Sequence, residues 1–127
     1  MLDMFIVNES FKHDVECFCT ETRHTNTITF RKGNRIELTN HTRYIDEIGF
    51  FVQIVINDMY TAFLHENDIE ELYSHQYFRL LLDVELEANY YEFKINEALD
   101  AKEEETFRHY VSLLEHHKEL LEEEAVH

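Results

Sequence analysis

Nine histidines, 27 carboxylates and two cysteines are the residues of this 127-residue chain that could do chemistry. Cys17 and Cys19, with His13 or His24, could hold a soft metal, but a Cys-x-Cys lacking a second pair is a thin ligand set. At one residue apart the two cysteines are also too close for an unstrained bridge along a strand, so they read as reduced thiols. Glu21 and His24 have the Glu-x-x-His spacing that builds di-iron sites when two such motifs face each other from neighbouring helices. Here that spacing falls in a stretch that reads as strand or loop. The HExxH pattern of zinc hydrolases is absent. His109, His116 and His117 read as surface histidines among acids, whose protonation would reduce the net charge and lend binding a modest pH dependence.

Nucleophilic catalysis fares no better. No GxSxG occurs, and Ser10, Ser74 and Ser112 sit in no strained strand-to-helix turn pattern. Gly33 and Gly49 are the two glycines, and neither GxGxxG nor GxxxxGK[ST] is present to cradle a phosphate. Carboxylates are so frequent that no single pair stands out as an acid and a base. The expectation is a protein with no catalytic residues, no cofactor and no metal, and not an enzyme.

Charge narrows what remains. A net charge of −16 repels nucleic-acid backbones and anionic membranes alike. It leaves protein partners, including basic nucleic-acid-binding proteins, or a role in solubility alone. No run of 18 apolar residues could span a membrane, and Met1 to Asn8 lacks the basic start and small-residue cleavage site of a secretion signal. A cytoplasmic location is expected.

The elements that would carry these surfaces follow from periodicity. With 44% apolar residues, ten Phe and seven Tyr, one domain over 1–127 can form a core. The β-rich part covers about 1–65. Val15 to Thr20, Thr27 to Arg31 and Arg35 to Thr39 alternate, and Lys32-Gly33-Asn34 has hairpin chemistry. Gly49 to Ile56 is β-branched and nearly all apolar, like a central strand covered on both faces. Asn57-Asp58 then signals a tight turn into Met59 to Leu64. About five strands in an antiparallel meander, curled toward a small barrel, are predicted, followed by a C-terminal helical hairpin, in an α+β fold.

The helical part covers about 67–123. Asn67-Asp68-Ile69-Glu70 resembles a capping box opening a short helix to Ser74. A long helix is predicted over Gln76 to Leu99, a break at Asp100, and a third helix from Ala101 to Glu123, with a frayed tail beyond. The long helix carries two apolar stripes. Tyr77, Leu81, Val84, Ala88, Tyr91, Ile95 and Ala98 form one; Phe78, Leu82, Leu86 and Phe93 form the other. Two stripes require cover on two sides. The third helix supplies one through Phe107, Val111, Leu114 and Leu121, and either the sheet or a second copy of the chain supplies the other. A homodimer through the long helices is the expectation that follows from the second choice. Candidate partner-binding residues are therefore Phe78, Leu82, Leu86 and Phe93, the aromatics Tyr73, Tyr77, Tyr90 and Tyr110, and the acids Glu104, Glu105, Glu115 and Glu119 on the outer face of the third helix.

Phe93-Lys94-Ile95-Asn96-Glu97-Ala98-Leu99-Asp100, followed by Ala101 to Thr106 and Phe107, resembles the IDEAL domain, a short helical module of Bacillus-group bacteria. Ile95, Glu97, Ala98, Leu99, Asp100 and Phe107 fit its pattern, and Asn96 stands where the module has Asp. The resemblance covers about 82–121. It implies a helical pair, a bacterial or phage source and no enzyme activity, and it brings no functional residues. Together these readings predict a non-enzymatic regulatory or adaptor protein that acts through protein contacts. The alternative is an acidic nucleic-acid mimic that inhibits a nuclease, repressor or polymerase.

Overall fold

The computed structural model describes residues 4–18 and 24–122. Its strands are β1 (Met4–Val7), β2 (Phe11–Cys17), β3 (His24–Phe30), β4 (Arg35–Ile45), β5 (Gly49–Ile56), β6 (Tyr60–His65) and β7 (Phe78–Leu80). Its helices are α1 (Glu66–Ser74), α2 (Leu81–Ala101) and α3 (Glu104–Glu122). The class is α+β, with seven strands among the described residues rather than five. They form one curled antiparallel sheet in the order β3-β2-β6-β5-β4-β1-β7.

The predicted hairpin at Lys32-Gly33-Asn34 does not form, because β3 and β4 do not pair with each other. β2 pairs with β3 through Phe11↔Phe30, and β1 pairs with β4 through Ile6↔Arg35, in one continuous register. The two long strands therefore run side by side and kink together at residues 8–10 and 31–34. Gly33, at φ 92°, donates its N–H to the Val7 carbonyl (2.8 Å), so the glycine serves to bend the ladder rather than reverse it. This shared bend curls the sheet. The meander β4-β5-β6 fills the space between the two halves. Asn57 and Asp58, at φ 51° and 59°, are the left-handed central residues of a turn closed by the Met59 N–H on the Ile56 carbonyl (3.1 Å), within a three-residue loop between the paired Ile56 and Tyr60.

β5 is less covered than predicted. Phe51 and Ile54 are buried, while Phe50 at one end is exposed. At the β4–β5 corner Gly49 has φ 118°, and a Cβ there would lie 2.8 Å from His65 Nε2. His65 replaces the predicted Asn67 cap of α1. Its Nδ1 accepts from the Asn67 N–H (3.0 Å), so Nε2 carries the proton and donates to the Ile48 carbonyl (2.6 Å). One imidazole thus joins the α1 N-terminus to the β4–β5 corner.

β1 packs different partners on its two faces. Phe5 and Val7 enter the main core with Val15, Phe30, Ile36, Ile54, Leu64 and Phe78, capped by Ile69 and Leu72 of α1. Ile6 points the other way, onto Val84 of α2 and Leu120 of α3. The short run Phe78–Leu80, expected as helix, pairs with β1 instead, because burial of Phe78 among Phe5, Phe11 and Phe30 outweighs local helical periodicity. Hence α2 starts at Leu81. It also runs past the predicted break at Asp100, ending in a left-handed Lys102 (φ 58°) with Glu103 N–H bonded to the Ala98 carbonyl. α3 then starts at Glu104 rather than Ala101. Cys19, Glu21 and Glu123, and with them parts of the metal and helix-end expectations, lie outside the described residues.

Candidate protein-binding face

α2 and α3 pack antiparallel. Tyr91 meets Tyr110 (6.0 Å between centroids) and His117 (5.0 Å), and Leu114, His117 and Leu120 are the buried residues of α3. Val84, Ala88 and Ala98 bury the facing side of α2. The remaining large apolar residues of α2 stand outside. Leu82 is 64% exposed, Leu86 56%, Tyr90 52% and Phe93 61%. At about 100° per residue these four occupy one arc centred roughly opposite the buried side, with exposed Asn89 at its edge. Leu99 is also exposed, near the α2–α3 bend, where it lines a shallow hollow with Ala98 and Phe107. A solvent-facing helix side should be polar, since each exposed leucine or phenylalanine forgoes about 1.5–3 kcal/mol of burial.

The stripe has an acidic border. Glu85 and Glu92 flank it on one side and Asp83 on the other, and Glu97 continues its arc at the C-terminal end. Lys94 is the one cation in the sequence of α2. It donates to Glu97 (2.9 Å) and lies over the Tyr110 ring. The hydrogen bond to Glu97 holds the Lys94 ammonium above its ordinary range.

Beneath the stripe, a polar clamp fixes the helical pair to the sheet. Arg79 of β7 donates twice to Glu87 of α2, at 3.1 and 2.5 Å. His117 of α3, only 5% exposed, donates from Nε2 to Glu87 Oε1 at 2.8 Å. The bidentate guanidinium bond lowers the Glu87 carboxyl pKa, opposed by partial burial and assisted by His117. The same bond raises that of Arg79. Burial raises the Tyr91 phenol beside them. His117 is therefore a buried link between helices, not the surface histidine expected from its acidic neighbours.

The other expected contact residues divide. Phe78 is fully buried in the sheet core and cannot touch a partner. Tyr77 is half-buried against Phe11 (4.9 Å) and belongs to the same core. Tyr73 is exposed, edge-on to Phe5. Tyr110 is half-buried among Tyr90, Tyr91 and Lys94, at the rim of the stripe. Glu104, Glu105, Glu115 and Glu119 all point outward, but Glu104 pairs with Arg108 and Glu119 with Lys32 (3.6 Å). Sequence reading missed the Arg79–Glu87–His117 clamp, whose members carry no shared spacing. It also missed an exposed cluster of Tyr44, Ile48 and Phe50 at the β4–β5 corner.

Among the described residues no three His, Cys, Asp or Glu converge where a metal could sit. An open cleft of about 370 Å³ lies beside His13, Asp14, Glu16 and His65, but Asp14 and Glu16 accept from Thr27 and Thr25, and His65 makes its two bonds to backbone. No described helix is long and apolar enough to cross a membrane. Comparison with protein-family models, curated proteins and solved structures finds no match.

Proposed function

We propose that this chain is a non-enzymatic binding protein, of regulatory or adaptor type, whose working surface is the outer side of α2. The observation that carries the reading is the row Leu82, Leu86, Tyr90 and Phe93, all more than half exposed and opposite the buried side of their helix. Isolated exposed apolar residues need no explanation, whereas a continuous row of four on a rigid helix marks a contact surface. The clamp at Glu87 supports the reading, because it holds the helix on the sheet without using the row. We read residues 82–121 as IDEAL-like. In that reading Ala98 is buried and Phe107 half-buried in the helical pair, while Phe93 and Leu99 face out for contact.

Nucleic-acid mimicry has thinner support. It needs uninterrupted rows of carboxylates, and the outer face of α3 is broken by Arg108 and Lys118, with Glu104 and Glu119 already paired. The test is affinity capture from bacterial extract with the wild-type chain and with Leu86→Glu/Phe93→Glu. A protein retained by the first and lost by the second is the expected result. Equal capture by both chains would remove α2 as the working surface, and steep loss with added salt for both would favour mimicry.

A further inference from the structure

Resting on the reading of α2 as the contact surface, we propose that its occupant is a cationic amphipathic helix of another protein, not a second copy of this chain. From Leu82 to Phe93 the row covers three turns, about 16 Å at 1.5 Å per residue. That matches a partner helix presenting apolar residues at alternating steps of three and four over a similar length. The acidic border then decides between occupants.

Two copies related by a two-fold axis can pack α2 on α2 in two ways. In the antiparallel arrangement each flank meets its own equivalent, so Glu85 and Glu92 face Glu92 and Glu85 of the second copy. In the parallel arrangement opposite flanks meet, so Glu85 and Glu92 face the side that carries Asp83, where the cation Lys94 is already held by Glu97. Both place carboxylates against carboxylates beside an apolar seam, where flanking charges select partner and orientation. The background is unfavourable too: residues 81–122 hold 12 acids and 4 bases, so two hairpins repel as they approach. Lys94 offers no relief, since it is engaged by Glu97 and Tyr110. A helix with Lys or Arg on both flanks of its apolar seam meets Glu85 and Glu92 on one side and Asp83 on the other with attraction, and is steered to them.

The full chain is tested against a fluorescent synthetic helix of about 18 residues, enough for a stable peptide helix when bound, with Leu along the seam and Lys on both flanks. Two control peptides carry Glu on the flanks, or Ser along the seam with Lys kept. Fluorescence anisotropy gives affinity, hydrogen exchange gives the footprint, and sedimentation gives the oligomeric state. The Leu/Lys peptide is expected to bind and protect α2. Glu85→Lys/Glu92→Lys and, separately, Leu86→Glu are each expected to weaken it by about tenfold or more. The Glu-flanked and Ser-seam peptides are expected to bind far more weakly. All these substitutions are at exposed positions, and unchanged thermal unfolding verifies that each variant is folded.

Equal binding of the Ser-seam peptide, a footprint off α2, or no binding at all overturns the proposal. So does a micromolar dimer that Leu86→Glu dissolves. That last result would leave α2 as the contact surface, with a second copy as its occupant. Indifference of both peptide binding and partner capture to Leu86→Glu would instead remove the underlying reading.

Discussion

Phe78 and Val84 lie six residues apart and belong to two differently built regions. Around Phe78 the rings of Phe5, Phe11 and Phe30 stand at 5.7, 5.9 and 5.7 Å between centroids, and β1, β2, β3 and α1 all contribute to the same buried cluster. Around Val84 the fully buried neighbours are Ile6 and Leu120, with Leu81 and Leu121 half-covered. The joint is completed by the charged clamp of Arg79, Glu87 and His117, by Arg35 donating to the Leu121 carbonyl (2.9 Å) and by the Lys32–Glu119 pair. The sheet and α1 are held by apolar volume. The helical pair is held by a narrow apolar contact plus directional polar ones. A helix docked in this way buries one side without committing the other, which leaves the outer row of α2 available.

The largest effect that tests this contrast is in the sheet. Phe78→Ala removes a fully buried ring from the main core cluster, and should cost about 3–5 kcal/mol in urea denaturation. A loss below about 1 kcal/mol would show that the aromatic cluster is not the main store of stability.

The clamp should give an intermediate effect with a different distribution. Glu87→Ala leaves the Arg79 guanidinium and the buried His117 without their shared acceptor. The Glu87 side chain is over a third exposed, so solvent screens part of the interaction, and about 1–2 kcal/mol is expected. Native-state hydrogen exchange should quicken in α3 and the first turns of α2 before it does in β4, β5 and β6. The pH dependence has a defined sign. Glu87 is more acidic in the folded chain than in the unfolded one, so its contribution is fully present above the unfolded carboxylate value, about 4.3. It is lost as pH falls through the folded value. Exchange in α3 should therefore accelerate on acidification below about pH 4 in the wild type, and much less so in Glu87→Gln.

The two regions were also unequally legible. Gly49 to Ile56 is a β-branched run closed by Asn57-Asp58, and both ends of β5 fall where those residues place them. The second apolar stripe of α2 could be read because Leu82, Leu86 and Phe93 do not fit on the side occupied by Val84, Ala88 and Ala98. β1 and β7 were missed. Four and three residues without alternation give no period, and Tyr77 and Phe78 fit the helical pattern of the residues that follow. Gly33 signals a turn, but only long-range pairing decides whether the chain reverses or bends there. Glu87 and His117 are 30 positions apart in the sequence, and nothing in either neighbourhood announces their contact.

A smaller effect is expected at the bend between α2 and α3. Lys102 occupies the left-handed position that usually holds glycine, and its N–H and that of Glu103 close the helix onto Leu99 and Ala98. Lys102→Gly relieves the Cβ strain while loosening the unfolded chain. The first term prevails at a position with φ 58°, so a gain of about 0.5–1 kcal/mol is expected. A loss would show that the lysine side chain contributes to the bend.

The smallest effect on stability is expected at the row itself, and its smallness is the informative part. Leu86→Glu and Phe93→Glu replace side chains that are more than half exposed in the folded chain, and nearly as exposed in the unfolded one, so little apolar burial is lost. Surface substitutions of this kind shift stability by less than about 0.5 kcal/mol each. The added carboxylates repel Glu85, Glu92 and Glu97, a screened cost of a few tenths of a kcal/mol that should shrink with salt. An unfolding midpoint close to wild type, with no change in α3 exchange, separates the row from the clamp beneath it. A loss of several kcal/mol would mean that Leu86 and Phe93 already pack against something in the isolated chain. The two sides of α2 would then share one structural task, and the row would no longer be free for a partner.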